Sequence, residues 1–204
     1  MLDLILVCGL ILCLALAVLA WIWVPRFALS HSGRWLVLIS VAILPVGISA
    51  AGLTVQLRTS SQTTFCLSCH PMQEYGRTLF VDNRKALAAV HYQERSIERD
   101  KTCFACHTDY AMFGNMKAKL NGLRHVWVQY VGKVPEKLAL YQPYPNHNCL
   151  HCHEDARGYV ENPVHKPFFA ELSANTRSCL QCHNVAHDKK AAADGHFWQA
   201  GGGQ

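Results

Sequence analysis

Two long apolar runs open the chain, and the pattern changes abruptly after them. Residues 2–24 carry a single charge, Asp3, and residues 35–57 carry none. Each run has about the length that a membrane-spanning helix requires. Pro45, Gly47 and Gly52 in the second would weaken a helix in water but are tolerated in lipid. Asp3, with no positive charge ahead of the first run, argues against a cleaved signal peptide. Trp21 and Trp23 suit an interfacial belt. Arg26 and Arg34 lie in the loop between the runs, which places that loop in the cytoplasm and everything after Leu57 outside. Residues 58–65 form a short polar link that keeps the next segment at the membrane surface. Val81 to Asp100 is charged and reads as a helix containing His91. Phe113, Met116, Leu120, Leu123, Trp127, Tyr130 and Val134 then recur at alternating spacings of three and four, a helical seam with Lys117, Lys119, Asn121 and Arg124 off it. Such a seam either packs against the interior of the domain or lies at the membrane surface. Pro135 to Pro145 reads as an irregular connector, and Pro163 and Pro167 define a loop around His165. The expected fold is mainly α: a two-helix transmembrane hairpin over residues 1–57, a small helical and irregular domain over 58–190, and a flexible tail over 191–204.

Composition sharpens this outline. Half of the 204 residues are apolar, with the excess at the N-terminus. The part outside the membrane is too small to bury more than a modest core from its own side chains. The formal charge of +5 invites a nucleic-acid partner, but Lys and Arg are scattered and no groove-reading motif is present. No nucleic-acid partner is expected.

Eight of the ten cysteines fall in four Cys-x-x-Cys-His motifs: Cys66, Cys69 and His70; Cys103, Cys106 and His107; Cys149, Cys152 and His153; Cys179, Cys182 and His183. Two thiols at this spacing meet the two vinyl groups of one porphyrin, and the adjacent imidazole reaches the iron. A zinc ribbon would pair Cys-x-x-Cys units without the trailing His, and a thioredoxin-like site needs one motif, not four. The motifs therefore predict four covalently bound haems c. These would supply much of the missing interior and, at about −1 each with ionised propionates, lower the net charge to about +1. Cys8 and Cys13 read as small apolar side chains of the first membrane helix. Motifs 1 and 2 start 37 residues apart and motifs 3 and 4 start 30 apart, with a longer gap between, a hint of two dihaem units.

Four low-spin irons need ligands beyond the motif histidines. His31 lies on the wrong side of the membrane, and His147 and His151 are constrained by motif 3. His91, His165 and His187 are the favoured distal candidates. His187 follows His183 by four residues on the same helical face, so any iron that it binds belongs to a neighbouring haem. Motif 1 continues Pro71-Met72, offering a thioether two residues past His70. Methionine ligation would set haem 1 apart by raising its potential.

The span from about Arg34 to His187 resembles the NapC/NirT/NrfH family of membrane-anchored tetrahaem quinol dehydrogenases. The resemblance rests on a spanning helix running into Phe65-Cys66-Leu67-Ser68-Cys69-His70-Pro71-Met72, three further motifs at similar intervals, Lys117-Ala118-Lys119 after motif 2 and Val185-Ala186-His187 after motif 4. It implies Met72 as the haem 1 ligand, His91, His165 and His187 as distal ligands, and a quinol pocket near Asp109, Lys101 and Lys119. It also implies a bacterial inner-membrane anchor, a periplasmic haem domain, and electron transfer from membrane quinol to a periplasmic oxidoreductase. The extra N-terminal helix departs from the single anchor of that family. It leaves two other readings open: quinone reduction in the reverse direction, and a subunit of a larger membrane complex with no quinone site.

Overall fold

Charge-free apolar runs give a helix no reason to break, and the first unit of the chain follows that logic. A computed structural model describes residues 2–23, 30–135 and 138–199. The chain divides into two compact units, Met1–Ser60 and Ser61–Gln204. In the first, α1 (Leu2–Trp23) lies against the later part of α2 (His31–Thr59). Helix α2 begins four residues ahead of the apolar run, because the Ser30 hydroxyl accepts the Gly33 N–H at 3.1 Å and caps it. Its turns widen into a π segment at Ile39–Ile43, just before Pro45. Proline has no N–H to give and crowds the carbonyl four residues back, and a wider turn relieves both problems. Among the described residues α2 alone is long and apolar enough to cross a membrane; the apolar stretch within α1, Val7–Leu19, is shorter. A pair of spanning helices is thus not what the structure establishes. Pro25 and Arg26 of the connecting loop, and the side chains of Trp21 and Trp23, lie outside the described residues.

The second unit is built from short helices: α3 (Thr63–Leu67), α4 (His70–Arg77), α5 (Leu87–Gln93), α6 (Thr102–His107), α7 (Gly114–Tyr130), α8 (His147–His153), α9 (Arg157–Val160), α10 (Phe169–Ser173) and α11 (Lys189–Ala193). No strand occurs among the described residues; one isolated antiparallel bridge joins Val81 and Phe197. That bridge, with the Asp82 N–H on the His196 carbonyl at 3.0 Å, holds residues 81–82 extended. Helix in the expected Val81–Asp100 segment is therefore limited to α5 and a 3₁₀ turn at Arg99–Lys101.

The core is small: Val81, Ala86, Ala89 and Ala192, with Val185, Ala191 and Phe197 packed on it. Ala192 and Phe197 belong to the segment expected as a flexible tail. Instead, residues 191–199 close the domain, tied also by the Trp198 N–H to the Phe80 carbonyl at 2.8 Å. Small apolar residues read as a loose tail in sequence, yet they are what a tight contact between helices needs. Residues 200–204 lie outside the described residues.

Candidate haem sites

A Cys-x-x-Cys-His stretch wound as one helical turn brings positions i, i+3 and i+4 to one face. Motifs 2 and 3 do this within α6 and α8. In motif 4 a 3₁₀ turn, Cys179–Gln181, serves, and the His183 N–H reaches the Cys179 carbonyl at 3.0 Å. Motif 1 is broken. Helix α3 stops at Leu67, Cys69 is extended (φ −87°, ψ 124°), and α4 restarts at His70 with Pro71 in its first turn, where a missing N–H costs nothing. Motif 1 is thus not a single continuous helical turn.

The three distal candidates each face a motif histidine from another part of the chain. The ring centres of His107 and His187 are 6.3 Å apart and nearly parallel at 12°. His91 and His153 stand 6.0 Å apart at 90°, and His165 and His183 6.2 Å apart at 42°. An imidazole nitrogen binds a first-row metal at about 2 Å, and about 1.1 Å more separates it from the ring centre, so two rings bridged by one iron stand about 6 Å apart. All three separations have that size. None of the ring pairs among the described residues includes His70, whose Nδ1 lies 3.3 Å from Gln73 Oε1.

The proton positions point the same way. His91 Nδ1 lies 2.7 Å from the Leu87 carbonyl and His165 Nδ1 3.1 Å from the Tyr159 carbonyl. A carbonyl only accepts, so both rings donate from Nδ1 and keep the Nε2 lone pair free. His187 reaches the same tautomer through a hydroxyl. Thr78 Oγ1 gives its one proton to the Tyr75 carbonyl at 2.6 Å, so the contact of 2.8 Å to His187 Nδ1 must run from imidazole to Thr78. This Nδ1 anchoring is how proteins orient a histidine that binds metal through its other nitrogen. Burial also favours the neutral, ligating form: it pushes His187 down to about 4, with His107 adding to the shift, and lowers His107 and His153.

Consecutive motifs adjoin. The thiol of Cys66 lies beside that of Cys103, and the thiol of Cys149 beside that of Cys179. Burial pushes the Cys106 thiol up, and Cys152 of the next motif adds to it. Buried asparagines fasten the pieces. Asn146, ahead of motif 3, donates to the Leu172 carbonyl at 2.9 Å and to that of Arg177, and accepts the Cys179 N–H at 2.9 Å. Asn148 donates to the Thr108 carbonyl at 2.9 Å and accepts the Tyr110 N–H at 3.1 Å, joining motifs 2 and 3. The backbone carbonyls of Val185 and Ala186 accept the first free N–H groups of α5, from Leu87 and Ala88, which fixes His91 relative to His187. Sequence reasoning missed Thr78 and Asn146. The asparagine had a faint signal, a polar residue at the start of a motif helix; the threonine had none.

The three residues expected around a quinol pocket each have partners of their own. Lys119 Nζ lies 4.4 Å from the centre of the Phe104 ring, donates to Ser61 Oγ at 2.7 Å, and feels the Cys66 thiol, between motifs 1 and 2. Lys101 pairs with Glu98 at 2.8 Å on the surface. Asp109 holds Lys117 at 2.8 Å and His147 at 2.6 Å, and these two bonds bring its carboxyl down to about 2.

Residues 29–192 match the model of the NapC/NirT cytochrome c family, N-terminal region. That span includes all four motifs and the three facing histidines. The chain belongs to this family. Membership brings covalently bound haem c and electron transfer as the general role. The cytochrome c-type protein TorC of Escherichia coli K12 is 28% identical over 176 residues, 76% of this chain and 43% of TorC, so the chain spans less than half the length of that relative. The denitrification system component NirT of Stutzerimonas stutzeri is 25% identical over 167 residues, 71% of this chain and 80% of NirT. No solved structure matches. The donor set of this NapC/NirT cytochrome fits its implied cofactor: paired thiols at the porphyrin-binding spacing and opposed imidazoles with Nε2 free. Among the described residues no three His, Cys, Asp or Glu side chains converge on a point; at three of the four motifs two imidazoles face each other, and a porphyrin would supply the remaining donors.

Proposed function

We propose that this chain is a tetrahaem cytochrome anchored in the bacterial inner membrane, which carries electrons from membrane quinol to a periplasmic oxidoreductase. The observation that carries the reading is the cross-pairing of His187 with His107, His91 with His153 and His165 with His183. Under it, Cys103 and Cys106 hold one haem between His107 and His187. Cys149 and Cys152 hold another between His153 and His91, and Cys179 and Cys182 a third between His183 and His165. Cys66 and Cys69 hold the remaining one. For that site the helix break within motif 1 and the lack of a facing imidazole support Met72 over His70 as the protein ligand.

Haem c, once bound, supplies reversible one-electron chemistry at iron. The protein's part is placement. Each distal histidine comes from a different stretch than the motif it faces, so ligation cross-links the domain and brings consecutive motifs into contact, as the thiol pairs Cys66–Cys103 and Cys149–Cys179 indicate. The inner-membrane anchor rests on α2, and the hairpin reading also on the packing of α1 against it. The loop charges Arg26 and Arg34 favour a periplasmic haem domain. The description of NirT as a denitrification system component supports a respiratory oxidoreductase as acceptor.

For the quinol pocket, Lys119 is the residue the geometry favours. Its side chain is half-buried beside Cys66 and the Phe104 ring, and burial lowers its proton affinity. Asp109, brought to about 2 by Lys117 and His147, has little affinity for a proton at neutral pH, so as a resting base it is weak. The deciding experiment adds a menaquinol analogue to the purified oxidised protein and follows the haem spectrum, with and without a quinone-site inhibitor. Inhibitor-sensitive reduction supports the proposal. Failure of any quinol to reduce the wild-type protein would turn the reading toward a docking subunit without a quinone site.

A further inference from the structure

Among the described residues the seam of α7 is largely uncovered. Met116, Leu120, Leu123 and Trp127 are 61–64% exposed and Tyr130 is 81% exposed, with Met112 and Phe113 extending the stripe at its start. Single exposed apolar residues are ordinary, but a continuous stripe over four turns marks a surface that meets something apolar. The missing occupant is not the haem interior. Helix α7 faces the rest of its unit through Asn115, which accepts from Thr108 at 2.8 Å, and through Lys119 against Phe104. At 100° per residue the stripe lies roughly 100° around the helix from that face.

Three observations identify a lipid surface as the occupant. First, α7 carries Lys117, Lys119, Arg124 and His125 and no acidic residue, with Lys117 and Arg124 on one flank of the stripe and Lys119 on the other. Lys117 is held by Asp109, Lys119 by Ser61, and Arg124 lies over the Tyr141 ring; what the helix offers an anionic headgroup layer is its excess of positive charge on both flanks of the apolar face. Second, the stripe ends in Trp127 and Tyr130, side chains that favour the membrane–water boundary. Third, Lys119 is bonded to Ser61 at 2.7 Å, and Ser61 stands two residues beyond the end of α2 at Thr59. Ser61 opens the second unit, so α7 is tied to the first residue of the haem domain, the end of that domain that the anchor feeds.

We propose that Gly114–Tyr130 lies along the membrane–water interface with Phe113, Met116, Leu120, Leu123, Trp127 and Tyr130 in the acyl boundary, a second membrane attachment that fixes the tilt of the haem domain against the surface. The proposal rests on the reading of α2 as a membrane span. The left-handed backbone at Phe113 (φ 61°) fits the same picture. A Cβ on Gly114 would run into the Asp109 carbonyl oxygen, which reserves the position for glycine.

The test uses the full-length haem-loaded protein in nanodiscs containing phosphatidylglycerol and a trace phospholipid with a diazirine near the top of its acyl chain. After irradiation, lipid adducts are mapped by peptide mass spectrometry. Adducts are expected on 31–59 and on Met116, Leu120, Leu123 and Trp127, with yield on the α7 peptide roughly fivefold above that on 147–173, which carries no such stripe. Leu120→Gln with Leu123→Gln should cut the α7 yield while leaving the haem spectrum and the labelling of α2 unchanged. Adducts on α2 with none on α7 overturn the interfacial helix alone, and α7 cross-linking to a second copy or a co-purified protein in the same discs would name the other occupant. Absence of adducts from both helices overturns the membrane anchor, and the proposal with it.

Discussion

Thr78 offers the sharpest test of how the distal histidines are held. Its hydroxyl is fully buried, gives its proton to the Tyr75 carbonyl at 2.6 Å and accepts that of His187 Nδ1 at 2.8 Å. Thr78→Val keeps the shape and removes both bonds. No water can replace them at zero exposure; the Tyr75 carbonyl keeps the Thr78 backbone N–H, but the His187 N–H is left unpaired, at about 1–3 kcal/mol. Part of that cost falls on the fold and part on ligation by His187. Loss of such an outer partner weakens metal binding by about 10–100-fold in comparable sites, or about 1.4–2.8 kcal/mol. In the ferric protein the variant should bind added cyanide at one site at least about tenfold more tightly than wild type, because the competing imidazole is weaker. Magnetic circular dichroism would follow the low-spin sites during the titration, and one site of the set should respond. Thr78→Ser, which retains the hydroxyl, should behave as wild type. A valine variant with wild-type cyanide affinity at every site would refute the argument that this hydroxyl holds His187. A serine variant as impaired as valine would show that the threonine methyl group, not the hydrogen bond, matters.

Further outcomes follow from the same geometry. His91→Ala, His165→Ala and His187→Ala should each turn one low-spin site high-spin while mass spectrometry still finds every haem attached; a variant with a native spectrum would remove that histidine from the ligand set. Asn146→Ala strands the Arg177 carbonyl and the Cys179 N–H, at about 1 kcal/mol each, and leaves the Leu172 carbonyl to the Asn175 N–H. For a domain of this size that lowers the melting temperature by roughly 10 °C, and a scan by near-ultraviolet circular dichroism showing no change would contradict the burial argument. Lys119→Gln should slow quinol-dependent reduction and leave dithionite reduction untouched, with Asp109→Asn having the smaller effect; the reverse order would restore Asp109 as the proton acceptor. Ser30→Cys, within the expected cytoplasmic segment Arg26 to Arg34, should resist an impermeant thiol reagent added to intact cells, and ready labelling would invert the topology.

The sequence alone determined what depends on local spacing. Four Cys-x-x-Cys-His units state haem attachment because a thioether pair and its imidazole lie within one turn of chain. The charge-free run ending at Leu57 states a helix of spanning length because nothing in it asks for water. The three-and-four spacing from Phe113 to Tyr130 was legible as an amphipathic helix for the same reason. What faces what was not legible. His187 could be excluded from the haem of His183 by helical geometry, but that it stands opposite His107 comes from contacts about a hundred residues apart in sequence, through Thr78 and the Val185–Ala186 backbone. Asp109 looked available in sequence and is occupied in three dimensions by Lys117 and His147, the latter brought in from the start of motif 3. The final small residues read as a loose tail because composition carries no record of a partner. Only the fold places Ala192 against Ala86 and Ala89, where a larger side chain would not fit and a missing one would open the core. Spacing along a chain encodes geometry within a turn or two of helix. Beyond that range position is decided by which surfaces can be buried together, and that is a property of the folded whole.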